Sequence, residues 1–196
     1  MRDIFRMMGV LTSVCFAAAF ALAQVHSITE GPIANQKRLD MIRAIKAVMP
    51  PFENKPDKDT ISLVTGKSKE GQDVRTTFYL GKKKDLLKGI AFKVYSKEGF
   101  GGTIEIIVGV TPGGSITGVE ILSMAETPGL GAKINAPQFK DQFKQKALKK
   151  VKWALKKDGG DIDQITGASI SSTAVVNALK KGLELFGKNR EKFKNI

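Results

Sequence analysis

Cysteine, histidine and tryptophan occur once each in the 196 residues, as Cys15, His26 and Trp153. A lone cysteine excludes an internal disulfide, and with one histidine in the chain no Cys/His set remains to hold a metal ion. Aromatic residues make up only 7% of the chain, while 32 Lys and Arg stand against 19 Asp and Glu for a formal net charge of +13. That excess invites a polyanionic partner. The lysines, however, fall in short separate groups such as Lys82-Lys83-Lys84, Lys149-Lys150 and Lys156-Lys157, outside any nucleic-acid-binding module, so nucleic acid is set aside as a partner. The basic residues read instead as a solvated face that anionic lipid headgroups would attract. Thr65-Gly66-Lys67-Ser68 echoes the end of a phosphate-binding loop, but Ile61 stands where that motif needs its first glycine, and the echo is discarded. Internal repeats and low-complexity linkers are absent, which leaves one globular domain and an appendage.

The appendage is N-terminal. Met7 to Ala23 carries no charge, and Gln24-Val25 extend the run toward the roughly 20 residues that cross a bilayer. Arg2 and Arg6 precede it, which by the positive-inside tendency keeps the N-terminus cytoplasmic and places the chain beyond about residue 30 on the outer side. Ala21-Leu22-Ala23 also matches the small-x-small site of a cleaved signal peptide; an uncleaved single-pass anchor is the preferred reading of the two. Cys15, mid-run behind the bulky Val14, lacks the setting of a lipid-modified terminus, and His26 reads as an interfacial polar residue. The expected division is 1–28 for the cytoplasmic N-terminus and transmembrane anchor and 29–196 for a single extracytoplasmic domain.

In that domain Leu39, Ile42, Ile45 and Met49 share one face of a basic amphipathic stretch from about Asn35, which predicts a helix stopped by Pro50-Pro51. Thr60 to Val64, Thr76 to Leu80 and Ile90 to Tyr95 read as short antiparallel strands. Thr103 to Val110 and Ile116 to Leu122 form the clearest hairpin, turned by Thr111-Pro112-Gly113-Gly114-Ser115. Phe139 and Phe143 lie one helical turn apart and should pack inward, with shelter for a bound ligand the lesser alternative, and Trp153 is either a core or strand residue or a ligand neighbour, between which the sequence does not choose. The fold class is α+β: an N-terminal transmembrane helix, then an antiparallel sheet flanked by helices.

Two segments carry chemistry. Asp163-Gln164-Ile165-Thr166-Gly167-Ala168-Ser169-Ile170-Ser171-Ser172 sets hydroxyls and a glycine before a helix whose apolar face is Val175, Leu179, Leu183 and Phe186. Hydroxyls and unpaired N–H groups at a helix N-terminus favour an anion such as phosphate, although Ser and Thr are also ordinary N-caps. Upstream, Glu126-Thr127-Pro128-Gly129-Leu130-Gly131 is a tight turn whose glycines let backbone N–H groups approach a ligand.

In this order the two segments resemble the FMN-binding domain found in the G subunit of the Rnf complex and in the C subunit of the sodium-pumping NADH:quinone reductase. The resemblance implies covalent FMN, esterified through its phosphate to Ser169; the usual acceptor is threonine, and a serine hydroxyl can form the same ester. It implies that Thr166, Gly167 and Ala168 shape the turn, that Ser171 and Ser172 bond the phosphate or cap the helix, and that Glu126, Thr127, Pro128, Gly129, Leu130 and Gly131 line the flavin site. Asp163 would be read by a separate Mg-dependent flavin transferase, which moves FMN from FAD. The Gly99-Phe100-Gly101-Gly102 turn also resembles the family, as either plain loop or ligand contact. With the chain's only histidine and cysteine outside the domain, a covalent flavin would have to be held through phosphate rather than its ring. Chain length fits the Rnf branch, so the expected role is an electron-carrying subunit of a membrane oxidoreductase and ion translocase, not catalytic alone, among other membrane and peripheral subunits. The alternatives are a part of the quinone reductase resembling its C subunit and an unflavinylated scaffold or binding domain.

Overall fold

The computed structural model describes residues 2–67, 73–84 and 86–193; Ser68 of the discarded echo lies outside them. Residues up to Met41 form one unit and residues from Ile42 onward a second. The first is wholly helical, part of α1 (Arg2–Val48). With a mean hydropathy of 1.9 over its most apolar window, this helix is long and apolar enough to cross a membrane, and its 47 residues are more than twice the roughly 20 a bilayer requires.

The amphipathic stretch expected from Asn35 is not a separate helix. α1 runs through Thr29 to Ile33 with Pro32 inside it. Thr29 cannot cap a new helix there, because its hydroxyl turns back to the carbonyls of Val25 (2.8 Å) and His26 (3.3 Å). Leu39, expected on the buried stripe, is 42% exposed, whereas Ile45, Val48 and Met49 at the end of α1 are buried.

The second unit is built on five strands, β1 (Thr60–Lys67), β2 (Asp73–Lys83), β3 (Leu86–Gly99), β4 (Gly102–Val110) and β5 (Ile116–Ser123), an antiparallel meander in chain order. All five expected strands are present, each at least as long as its β-branched run, because ladder pairing continues into the polar ends. Register sets Phe78 opposite Phe92, Ile90 opposite Val110 and Val94 opposite Ile106, so alternate residues give one apolar face. α3 (Ser169–Asn189) lays Val175, Leu179, Leu183 and Phe186 on it, and Phe92 and Phe186 stack with centroids 6.1 Å apart. Burying each such side chain contributes on the order of 1.5–3 kcal/mol.

The opposite face holds a transverse row of glycines. Gly81 pairs with Gly89, and Gly109 with both Ala91 and Gly118. The last turn of α1 lies in this trough: a Cβ on Gly109 would collide with the Val48 carbonyl, and one on Gly118 would stand 2.8 Å from Val48 Cα. The Thr117 hydroxyl closes the contact by donating to the same carbonyl.

Between β5 and α3 the chain forms a 3-10 turn (Gly131–Asn135) and the short helix α2 (Pro137–Asp141). Phe139 and Phe143 pack inward edge to face at 5.4 Å, and Phe143 stacks on Trp153, which the structure places in the core.

Candidate functional site

Three turns far apart in sequence meet at the N-terminus of α3. In the first, the Leu130 N–H donates to the Thr127 carbonyl, and Gly129 takes φ +76° behind Pro128. In the second, the Ala168 N–H donates to the Ile165 carbonyl, and Gly167 takes φ +78° behind Thr166. Both have the positive φ at the third position that a type II turn demands of glycine. They touch, since a Cβ on Gly167 would lie 3.3 Å from Leu130 Cδ2. The third is the Gly-rich β3–β4 turn.

Glu126 ties the first and third of these turns to the start of α3. Its carboxylate is buried, accepting the Ser171 hydroxyl at Oε2 (2.6 Å) and the Gly101 N–H at Oε1 (3.2 Å). Gly131 covers this pair so closely that a Cβ there would run into Glu126 Oε2 and stand 2.7 Å from Ser171 Oγ. One carboxylate thereby holds the β3–β4 turn, the Thr-Pro-Gly-Leu-Gly turn and the first turn of α3.

The half-open cavity between these turns has a volume of about 350 Å³. Glu126, Thr127, Leu130, Gly131, Gly167, Ala168, Ser169 and Ser171 line it together with Phe100 and Ile170. Pro128, Gly129 and Thr166 build the turns without lining it. Phe100, Leu130 and Ile170 are large, apolar and exposed, a hydrophobic rim over a polar, glycine-lined end.

The hydroxyls at the helix start have different fates. Ser171 is bound to Glu126. Ser172, fully buried, accepts the Ile165 N–H (3.1 Å) and donates to the Ala168 carbonyl (2.9 Å), so it closes the turn and is turned away from the cavity. Of the three serines, Ser169 is the one whose hydroxyl has no hydrogen-bond partner among the described residues, and it lines the cavity. Ala168, not a serine, is the N-cap, and it supplies no side-chain bond. The first bond of the helix runs from the Ser172 N–H to the Ala168 carbonyl, which leaves the N–H groups of Ser169, Ile170 and Ser171 without helical acceptors. An unbonded hydroxyl, three amide donors and the positive end of a 21-residue helix thus meet at this end of the cavity, a setting that favours an anion.

Asp163 lies outside the cavity lining. Its carboxylate pairs with Lys156 Nζ (2.8 Å to Oδ1), and its backbone is held by Gln142. Sequence reasoning leaves Ile170, Gln142 and Lys156 unassigned. Ile170 carries a readable signal: five positions before Val175, it is turned about 140° from the buried face of α3, an apolar residue aimed outward. Gln142 and Lys156 carry none, being polar residues whose partners lie 21 and 7 positions away. Among the described residues no cluster of His, Cys, Asp and Glu could hold a metal ion.

A family model described as the FMN-binding domain matches residues 99–184. The G subunit of the ion-translocating oxidoreductase complex of Aliivibrio fischeri is 32% identical over 194 residues, covering 95% of this chain and 92% of that protein. The same subunit from Pseudomonas aeruginosa is 33% identical over 178 residues, covering 87% and 83%. Among solved structures, the C subunit of the Na(+)-translocating NADH-quinone reductase from Parabacteroides distasonis superposes with a TM-score of 0.60 at 18% identity, over 80% of this chain and 94% of that one. NqrC from Shewanella oneidensis superposes with a TM-score of 0.53 at 21% identity, over 78% and 74%. These structural likenesses bear on the fold alone.

Proposed function

Because the chain belongs to the family of the ion-translocating oxidoreductase complex G subunit, we propose that it is a membrane-anchored electron carrier of an Rnf-type complex, which couples ferredoxin:NAD electron transfer to ion translocation, with FMN esterified to Ser169. The alternative place in a quinone reductase rests on likeness of fold, whereas identity of about a third over most of the chain favours the Rnf-type complex.

The residues present fit the cofactor. The N–H groups of Ser169, Ile170 and Ser171 would hold its phosphate, and the apolar rim of Phe100, Leu130 and Ile170 would suit its ring. Thr127 adds a donor and acceptor at the cavity wall. Bound FMN supplies the redox chemistry, and the chain fixes its position and surroundings. Attachment exchanges the FMN–AMP pyrophosphate bond of FAD for an ester to Ser169 Oγ, releasing AMP and the hydroxyl proton with no change of oxidation state. Asp163 is the residue the flavin transferase reads, and in the mature protein Lys156 neutralises it, so that its charge does not oppose the phosphate. α1 is a single-pass anchor with a cytoplasmic N-terminus, and the FMN domain lies on the outer side, where a covalent bond keeps the cofactor from diffusing away. The other membrane and peripheral subunits supply the ion path.

The observation that carries this reading is the free hydroxyl of Ser169 at the cavity, beside serines whose hydroxyls are already bonded. Intact masses of wild type and Ser169→Ala, each made in a host with the transferase, test it. Wild type gains FMN minus one water and fluoresces in a denaturing gel; the variant does neither. An unmodified wild type, alongside a modified threonine-bearing control, would overturn covalent attachment and leave a scaffold or a loosely held flavin.

A further inference from the structure

The segment leading into Ser169 is gripped from outside the cavity. Gln142, at the C-terminal cap of α2, accepts the Asp163 N–H at Oε1 (2.8 Å) and donates from Nε2 to the Asp163 carbonyl (3.2 Å) and the Phe139 carbonyl (3.0 Å). One side-chain amide thus satisfies both backbone groups of a single residue, as a neighbouring strand would. Its base is rigid, because Phe139 and Phe143 on either side are buried in the core. Downstream, the Ile165–Ala168 turn is tied to α3 by Ser172. Upstream, buried Ile162 exchanges backbone hydrogen bonds with Ala154 and Lys156, and the Lys156 ammonium pairs with the Asp163 carboxylate; Gln142 is the side chain that ties the Asp163 backbone itself to α2. A hollow of about 420 Å³ beside the clamp, lined in part by Phe139, Gln142, Asp163 and Ile165, gives the loop space to fall into once it is released.

We propose that Gln142 is a positioning residue for flavin attachment, holding the acceptor turn against α2 so that the Ser169 hydroxyl stands at the cavity in one orientation. The proposal rests on the reading of Ser169 as the FMN-bearing residue. Both ends of the clamp reach solvent, so water replaces the lost hydrogen bonds and substitution leaves the fold intact while it frees the loop.

The test uses the full chain in detergent as wild type, Gln142→Met, which keeps the volume without the hydrogen bonds, and Gln142→Glu, which keeps the acceptor for the Asp163 N–H. Hydrogen exchange is read before flavin attachment, and the rate of FMN transfer from FAD by the transferase is then followed by intact mass. In Gln142→Met the amides of Asp163, Ile165 and Ala168 should exchange roughly 5- to 30-fold faster, with transfer slowed by a similar factor, as loss of one or two hydrogen bonds implies. The amides of β3 and β4 should not change, and Gln142→Glu should retain more protection at the Asp163 amide. Wild-type exchange in Gln142→Met overturns the role, as does faster exchange with unchanged transfer. Faster exchange throughout the sheet also overturns it, by showing a general loss of structure. A wild type that takes up no FMN beside a modified threonine control overturns the reading underneath, and is recognised by failing before any variant is compared.

Discussion

Removing Glu126 and Ser171 separately and together tests whether one buried carboxylate assembles the site. The hydrogen bond between them is 2.6 Å long, charge-assisted and buried at both ends, with Glu126 7% and Ser171 1% exposed. A hydrogen bond to a charged group in such surroundings is worth about 1.5–3 kcal/mol, and the partner left behind is a buried polar group that has lost its counterpart. Glu126→Ala and Ser171→Ala should therefore each lower the melting temperature substantially. Glu126→Ala also releases the Gly101 N–H, but that group is only half-buried and water can serve it. Once either residue is gone the other has little left to lose, so the double variant should fall short of the sum of the single losses by roughly 1.5–3 kcal/mol. For a domain of this size that is a shortfall of roughly 3–12 °C, read by thermal unfolding of the full chain in detergent. Losses that add to within about 0.5 kcal/mol would refute the argument, because distant, uncoupled sites behave that way.

Gly131→Ala should disturb the same contact from above, lowering flavin incorporation along with stability, since its Cβ would occupy the space of Glu126 Oε2 and Ser171 Oγ; unchanged incorporation by mass would contradict this. Gly109→Ala should cost about 1–3 kcal/mol by overpacking, because its Cβ would strike the Val48 carbonyl and move the end of α1, while FMN uptake persists; a wild-type melting temperature would sink the prediction. Lys156→Met should alter stability by less than about 1 kcal/mol, because both partners of its ion pair with Asp163 are more than half exposed; a loss of several kcal/mol would show that the pair holds the loop itself. Alkali should weaken the sheet. Burial alone would lower the Lys93 ammonium, but the Glu105 carboxylate at 2.6 Å more than compensates and holds it above 10.5, while burial and then the Glu105 charge hold Tyr95 above 10.0. Raised folded-state values mean that this stability is complete below about pH 10 and is lost as pH rises through them. Lys93→Met should flatten that decline in thermal unfolding, and an identical slope in the variant would count against the Lys93–Glu105 pair.

Several features are legible in the sequence because they depend on neighbours in the chain. Strand order follows from short turns between β-branched runs, which force adjacent strands to pair antiparallel, and α3 follows from the spacing of Val175, Leu179, Leu183 and Phe186. Gly129 and Gly167 announce their turns because positive φ is a local demand that glycine meets. The two chemical segments are readable for the same reason: hydroxyls before a helix and glycines after a proline each carry their meaning within a few residues.

Tertiary structure decides what depends on distant partners. By residue type alone the three serines of one short run are equivalent, and only the family resemblance singles out Ser169. Glu126, 45 positions from Ser171, takes one hydroxyl, the backbone of the turn takes that of Ser172, and Ser169 is left free. The clamp of Gln142 on Asp163 and the pairing of Lys156 with the same residue are likewise invisible in sequence, since neither glutamine nor lysine has a periodicity that names its partner. Local propensity and hydrophobic spacing thus determine the helices, the strands and the two glycine turns, whereas hydrogen bonds across the fold determine which hydroxyl remains available for chemistry.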